Sequence, residues 1–103
     1  MLNQVILVGR LQEIKENDNK VIITLSCNRP YKNVDGEYET DFVDFILWGG
    51  VADTTKEYCK KGDVLGVRGR IQMNVVDDIK ITELIADKII FLSTNPNLKK
   101  EDE

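Results

Sequence analysis

Between Ser26 and Asn33 the chain reads SCNRPYKN, which sets one aromatic ring, Tyr31, between the cations Arg29 and Lys32. Pro30 has a fixed backbone angle and stiffens the approach to that ring. A second pair of rings, Phe42 and Trp48, lies six residues apart in FVDFILW, with Asp44 and Ile46 between them. Side chains alternate along a strand, so both rings and the residues between them at even spacing share one face. In VRGRIQ, Arg68 and Arg70 flank Gly69, two strand rises or roughly 6–7 Å apart. Arg10 follows Gly9 in the first apolar run, and Lys80 follows the last turn signal. Flat rings offer faces for stacking and the cations offer partners for anions. Together they suit a ligand that carries both planar groups and negative charge. By residue type alone, Phe42 and Trp48 suit a core at least as well, and the two arginines suit surface ion pairs.

Other chemistries lack their parts. The chain has no His, which removes Ser-His and Cys-His pairs and imidazole metal ligands. No phosphate-cradling glycine loop is present. Cys27 and Cys59 are widely spaced and are expected to be reduced, inert core thiols. No catalytic residue, metal or cofactor is expected. The net charge of -4 argues against holding a polyanion by bulk charge, though not against a local basic groove.

The chain's 103 residues make one domain, able to bury about two-thirds of its unfolded surface. No apolar run approaches the ~20 residues that span a bilayer, and MLNQVILVGR does not read as a signal peptide. The expected compartment is the cytoplasm, with no membrane partner. QVILVGRL predicts a strand broken at Gly9, and the polar EIKENDNK predicts a turn around Asn17, Asp18 and Asn19. A second strand is expected over Lys20 to Asn28, then a loop from Arg29 to Asp41 that folds back at Asp35-Gly36. A third strand runs from Phe42 to Trp48 and is closed by Gly49-Gly50. DTTKEYC predicts a short helix with Asp53 as N-cap and Gly62 beyond its end. Two strands follow, Asp63 to Met73 and Ile79 to Leu92, joined by a turn at Asp77-Asp78. Phe45 and Phe91 are assigned to the core and Tyr38 to hairpin packing. Gly69 suits close approach by another backbone. Three strands, a helix and two strands form an all-β fold, a five-stranded OB-fold Greek-key barrel with one short helix between strands 3 and 4.

MLNQVILVGRL, CNRPYKN, DFVDFILWGG, EYCKKGDVLGVRGRIQ and ITELIADKIIFL occur in an order that resembles the bacterial single-stranded DNA-binding protein family along nearly the whole chain. The resemblance implies an OB-fold over residues 1–92 that coats single-stranded DNA in replication, recombination or repair. It also implies a homo-oligomer, typically a tetramer, located with the nucleoid in the cytoplasm. It turns Tyr31, Phe42 and Trp48 into expected base-stacking residues. Arg29, Lys32, Arg68 and Arg70, with Arg10 and Lys80 behind them, become expected phosphate contacts. The apolar runs VILV and IIFL exceed what one small barrel needs, which agrees with some oligomerisation.

Three departures from the family pattern stand out. The first interstrand loop and the last hairpin are short, and Val75 and Val76 occupy positions where many relatives place an aromatic. One lost stack is worth roughly 1–3 kcal/mol, so weaker binding is expected rather than none. The tail over residues 93–103 lacks a linker and an apolar tip, so tail-mediated recruitment of replication or repair proteins is not expected. The alternative reading is an OB-fold protein–protein assembly module with weak or no DNA binding.

Overall fold

The computed structural model describes residues 1–18 and 20–93. Burial alternates along KVIITLSC and builds the first wall of the core: Val21, Ile23 and Leu25 are buried, while Ile22 and Thr24 between them are half-buried on the other face. Phe45 and Leu47 repeat the pattern on the next strand, and Leu65 and Val67 on a later one. With Leu11 these side chains fill the interior, none more than 3% exposed. Each such burial is worth about 1.5–3 kcal/mol, so the core holds the fold.

The elements run β1 (Val5–Asn17), β2 (Lys20–Lys32), β3 (Tyr38–Trp48), α1 (Gly49–Tyr58), β4 (Val64–Val76) and β5 (Ile79–Ser93). They close as a barrel in the order β1-β2-β3-β5-β4, with β1 also paired to β4. This is the OB-fold barrel the element order predicted. In this ring the β1–β4 seam lies across from β3. The closure between β3 and β5 is narrow, a single parallel pair, Ile46↔Ile85.

The strands outrun their expected limits. β1 continues through the polar stretch to Asn17 because a bulge between Leu11 and Glu13 lets it stay in register with β2. Ile14 then packs against the core from the segment expected to be a turn. β2 and β3 likewise extend into the Arg29–Asp41 connection and leave a short tip around Asp35 and Gly36. Asn33 fastens that tip, its Oδ1 accepting from the backbone N–H groups of Asp35 at 2.9 Å and Glu37 at 3.0 Å.

The helix also starts earlier than expected. Gly49 has φ 55°, a left-handed conformation that glycine adopts without a Cβ penalty, so the glycine pair turns β3 directly into α1. Trp48 becomes the N-cap residue, and no side chain caps the helix. Asp53 lies inside the helix, not at its cap. At the last turn Asp77 and Asp78 both have positive φ, 51° and 64°, which joins β4 to β5 in a two-residue hairpin of type I′ character.

Phe91 corrects a second expectation. It is half exposed beside Tyr58 of α1 and does not enter the core. Cys59 is buried as expected, but Cys27 is only half-buried; both are free thiols. Ser93 ends β5, and the remaining tail lies outside the described residues. Among the described residues, no helix is long and apolar enough to cross a membrane.

Candidate nucleic-acid interface

The inward side of β3 is spent on the core, so its outward side carries the alternate residues Phe42, Asp44, Ile46 and Trp48. The rings at either end are open, Phe42 by 66% and Trp48 by 50%. Six residues of rise separate them by about 20 Å, room for several nucleotides. Because directly paired residues share a face, the ladder gives each of these side chains a neighbour. Trp48 stands beside Lys20, Ile46 beside Ile22, Asp44 beside Thr24, and Phe42 beside Ser26. One strand further, Lys15 lies next to Ile22, Glu13 next to Thr24 and Arg10 next to Ser26.

Two cations on this face were missed in the sequence. Lys20 is the direct cross-strand partner of Trp48, and Lys15 lies two strands from Ile46. Only the register of the first hairpin brings them there. The expected tight turn near Asp18 would have found it had the strands been carried up to that turn. Arg10 gains weight for the same reason, since it sits in line with Phe42 through Ser26. Its Nη1 donates to the Gly62 carbonyl at 2.8 Å, which fixes the stem of the side chain over the barrel.

Tyr31 is brought to the arm formed by the ends of β2 and β3, and its ring is exposed. A register shift between Asn28 and Lys32 surrounds Pro30, which supplies no backbone donor to the ladder. Lys32 places its ammonium 5.8 Å from the centroid of the Tyr38 ring, a cation–π contact that gives Tyr38 the packing role expected of it.

Arg29 is occupied. Its Nε donates to Asp41 Oδ2 at 3.2 Å, its Nη2 to Asp41 Oδ1 at 3.0 Å, and its Nη1 to Glu39. The hydrogen bond to Asp41, then the charges of Asp41 and Glu39, raise the Arg29 pKa above its ordinary value. In turn the hydrogen bond from Arg29 holds the Asp41 carboxyl below the usual carboxylate range. Asp41 and Glu39 alternate with Phe42 and Thr40 along β3, so this ion-pair cluster belongs to the opposite side of the arm from Phe42.

The two arginines of β4 are also separated from the aromatic row. Arg68 pairs with Ile6 of β1 and Lys88 of β5, across the barrel from β3. Apart from Lys88, exposed apolar residues surround it there: Ile6, Val8, Ile90 and Leu92. Arg70 is half-buried and donates through Nη1 to Asp87 at 2.8 Å. Lys80 is exposed on the last hairpin, opposite Val75. The structure thus gathers Phe42, Trp48, Arg10, Lys15 and Lys20 on one face, sets Tyr31 and Lys32 on an adjoining arm, and leaves Arg68 elsewhere.

Among the described residues no group of His, Cys, Asp or Glu could hold a metal ion. Exposed rings flanked by cations on an OB barrel can stack planar groups and contact the anions that link them.

Known proteins resemble this chain in sequence and in fold. The model of the Single-strand binding protein family matches residues 2–92. Single-stranded DNA-binding protein B of Bacillus subtilis is 38% identical over 115 aligned positions, covering 99% of this chain and 100% of that protein. The single-stranded DNA-binding protein of Halalkalibacterium halodurans is 40% identical over 103 positions, 89% of this chain but 61% of that longer relative. Among solved structures, a small single-stranded DNA binding protein from Mycoplasma pneumoniae superposes with a TM-score of 0.70 at 21% identity, covering 93% of this chain and 95% of that one. A Plasmodium falciparum SSB solved in complex with ssDNA gives 0.68 at 24% identity, covering 90% and 96%. At these identities the two structures compare the fold alone.

Proposed function

The chain belongs to the single-strand binding protein family, and on that premise we propose that it binds and protects single-stranded DNA, without catalysis and largely without regard to sequence. The observation that carries the reading is the open pair Phe42 and Trp48 on the outer face of a barrel whose inner face is already full. Bases stack on these rings and on Tyr31. The phosphates between them meet Arg10, Lys15 and Lys20 along the face and Lys32 on the arm, and Lys80 reaches them from the β4–β5 hairpin. Arg29 and Arg70 contribute only through donors left over from their ion pairs, and Arg68 lies on the face assigned below to self-association. The mechanism is occupancy: a coated strand cannot form hairpins and is shielded from nucleases, as replication, recombination and repair require. The working compartment is the cytoplasm, at the nucleoid.

Residues 1–92 act as the binding domain, followed by the short polar segment over residues 93–103. The open apolar residues Ile6, Val8, Ile90 and Leu92 support self-association through the β1–β4–β5 face, with a homotetramer as the assembly. Ile6→Glu should lower the mass seen by light scattering; an unchanged mass would place the interface elsewhere.

A second reading has specific support. Asp44 sits between the two rings, and Arg29 is neutralised by its neighbours. Both features suit an assembly module that has given up DNA. Fluorescence anisotropy with labelled oligo-dT separates the readings. Salt-sensitive binding by the native chain, lost when Phe42 and Trp48 are both changed to Ala, supports the DNA reading. Silence at low salt in the native chain supports the module.

A further inference from the structure

The outer face of β1, β4 and β5 carries four open apolar side chains, Ile6, Val8, Ile90 and Leu92, exposed by 46–71%. A pair of cations is set among them. The ladders place Ile6 beside Arg68 and Arg68 beside Lys88, so one row across the three strands reads Ile6, Arg68, Lys88. The next row reads Val8, Gly66, Ile90. Adjacent strands lie about 4.8 Å apart and alternate residues about 6.6 Å, so both cations stand within a side-chain length of the apolar patch. Directly paired residues have Cβ atoms about 5 Å apart, which makes Arg68 and Lys88 neighbours of like charge.

Nothing on this face neutralises them. Neither side chain makes an ion pair or a hydrogen bond among the described residues. The carboxylate next to Lys88 in the chain, Asp87, is taken by Arg70, whose Nη1 donates to it at 2.8 Å. Both cations are exposed, so in a single copy water screens their repulsion. Covering the face removes that screen. Arg68 stands between Ile6 and Lys88, so any contact that covers both Ile6 and Ile90 also covers Arg68. A closed two-fold contact presents the same patch from either side, so two such rows enter it together and bring no free carboxylate with them. Apolar burial draws the copies together, and the unpaired cations oppose it.

We propose that the Arg68–Lys88 row makes self-association of this chain depend on ionic strength: it weakens the contact with a second copy in dilute salt, and anions that neutralise the row let the apolar residues close. This rests on the reading that copies meet through the β1–β4–β5 face. The sign is opposite to that expected for DNA, where salt competes with phosphate contacts and weakens binding. A rise in salt therefore strengthens assembly while it loosens the strand.

Sedimentation equilibrium of the full chain without DNA tests this. The dissociation constant of the assembly is measured in NaCl from about 0.01 M, where the screening length is about 30 Å, to about 1 M, where it is about 3 Å. For the native chain it should fall by about tenfold or more across that range. The double variant Arg68→Gln, Lys88→Gln, checked for native folding by circular dichroism, should associate more tightly than the native chain at low salt and change by no more than about twofold with salt. Whatever salt adds to apolar burial is common to both proteins, so the difference between their slopes reports the charged row. Equal slopes, a native mass that does not move with salt, or an assembly that loosens as salt rises would overturn the inference while leaving self-association intact. If the native chain stayed a single copy at every salt concentration, the self-association reading would fall and this inference with it.

Discussion

Replacing Gly69 with Ala should damage this protein far more than a single methyl group ordinarily would. A Cβ at Gly69 would lie 2.1 Å from the Ile85 carbonyl oxygen, 3.0 Å from its carbon and 3.2 Å from the Ala86 Cα. All three obstacles are backbone, so no side chain can turn aside, and the first is more than an ångström short of ordinary contact. The position also matters. β4 and β5 shift register between Arg68 and Gly69, and Ile85 is the residue that pairs with Ile46 to close the barrel. Overpacking costs about 1–3 kcal/mol, and a rigid obstacle puts this substitution at about 3 kcal/mol. For a domain of this size that corresponds to a melting temperature lower by about 12–24 °C. Gly66 provides the control: a Cβ there meets Ile90 and Leu92 side chains at 3.7 Å, ordinary contact. Gly66→Ala should change stability by no more than about 0.5 kcal/mol. The assay is thermal unfolding followed by circular dichroism at one fixed protein concentration, since self-association would otherwise shift the midpoint. A Gly69→Ala melting point within about 3 °C of the native value, or equal losses for both variants, would refute the packing argument.

Other outcomes follow from the same geometry. Trp48→Ala and Phe42→Ala should each weaken oligo-dT binding by about five- to over a hundredfold, from roughly 1–3 kcal/mol per stacked base, with melting temperatures little changed because both rings are open. The Asp41 carboxyl has a folded pKa below its unfolded value, so its contribution to the arm is complete above the unfolded value and is lost as the pH falls through the folded one. Amide exchange of Asn28 and Thr40 should therefore stay slow through mildly acid pH and quicken below it. In Asp41→Asn that acid transition should be absent; an unchanged profile would show that the Arg29 pair does not order the arm. Burial, and then the nearby Asp63 charge, push the Cys59 thiol up. Iodoacetamide should modify half-buried Cys27 first and reach Cys59 only on unfolding, as peptide mass mapping would show; equal rates would contradict the burial.

Much of the fold was legible because local signals agreed with it. VIITLSC and FVDFILW were read as strands and are strands, Phe45 was assigned to the core and is fully buried, and Asp77-Asp78 marked a turn that needs left-handed residues. Gly69 was read as a point of close approach, and the Ile85 carbonyl is what approaches. The misses share one physical origin, register. IIFL is apolar throughout and carries no alternation, so nothing local reveals that Phe91 turns outward beside Tyr58. Cys27 pairs with Asp41, which delivers Arg29 to Asp41 and Glu39; those carboxylates are distant in sequence and become neighbours only through the β2–β3 ladder. Lys20 was read as the first residue of a strand, and only its pairing with Trp48 makes it part of the site. The glycine pair after Trp48 was taken as a stop, although a left-handed Gly49 also lets a strand run straight into a helix.

Trp48 is the chain's only tryptophan and is half exposed at one end of the outer row, so its fluorescence reports the central claim directly. The decisive measurement is a titration of that signal with oligo-dT at several salt concentrations, beside labelled-DNA anisotropy and a duplex control. Stacking with phosphate contact predicts strong quenching, preference for the single strand, and affinity that falls steadily as salt rises. An unquenched Trp48 together with flat anisotropy at low salt would contradict it.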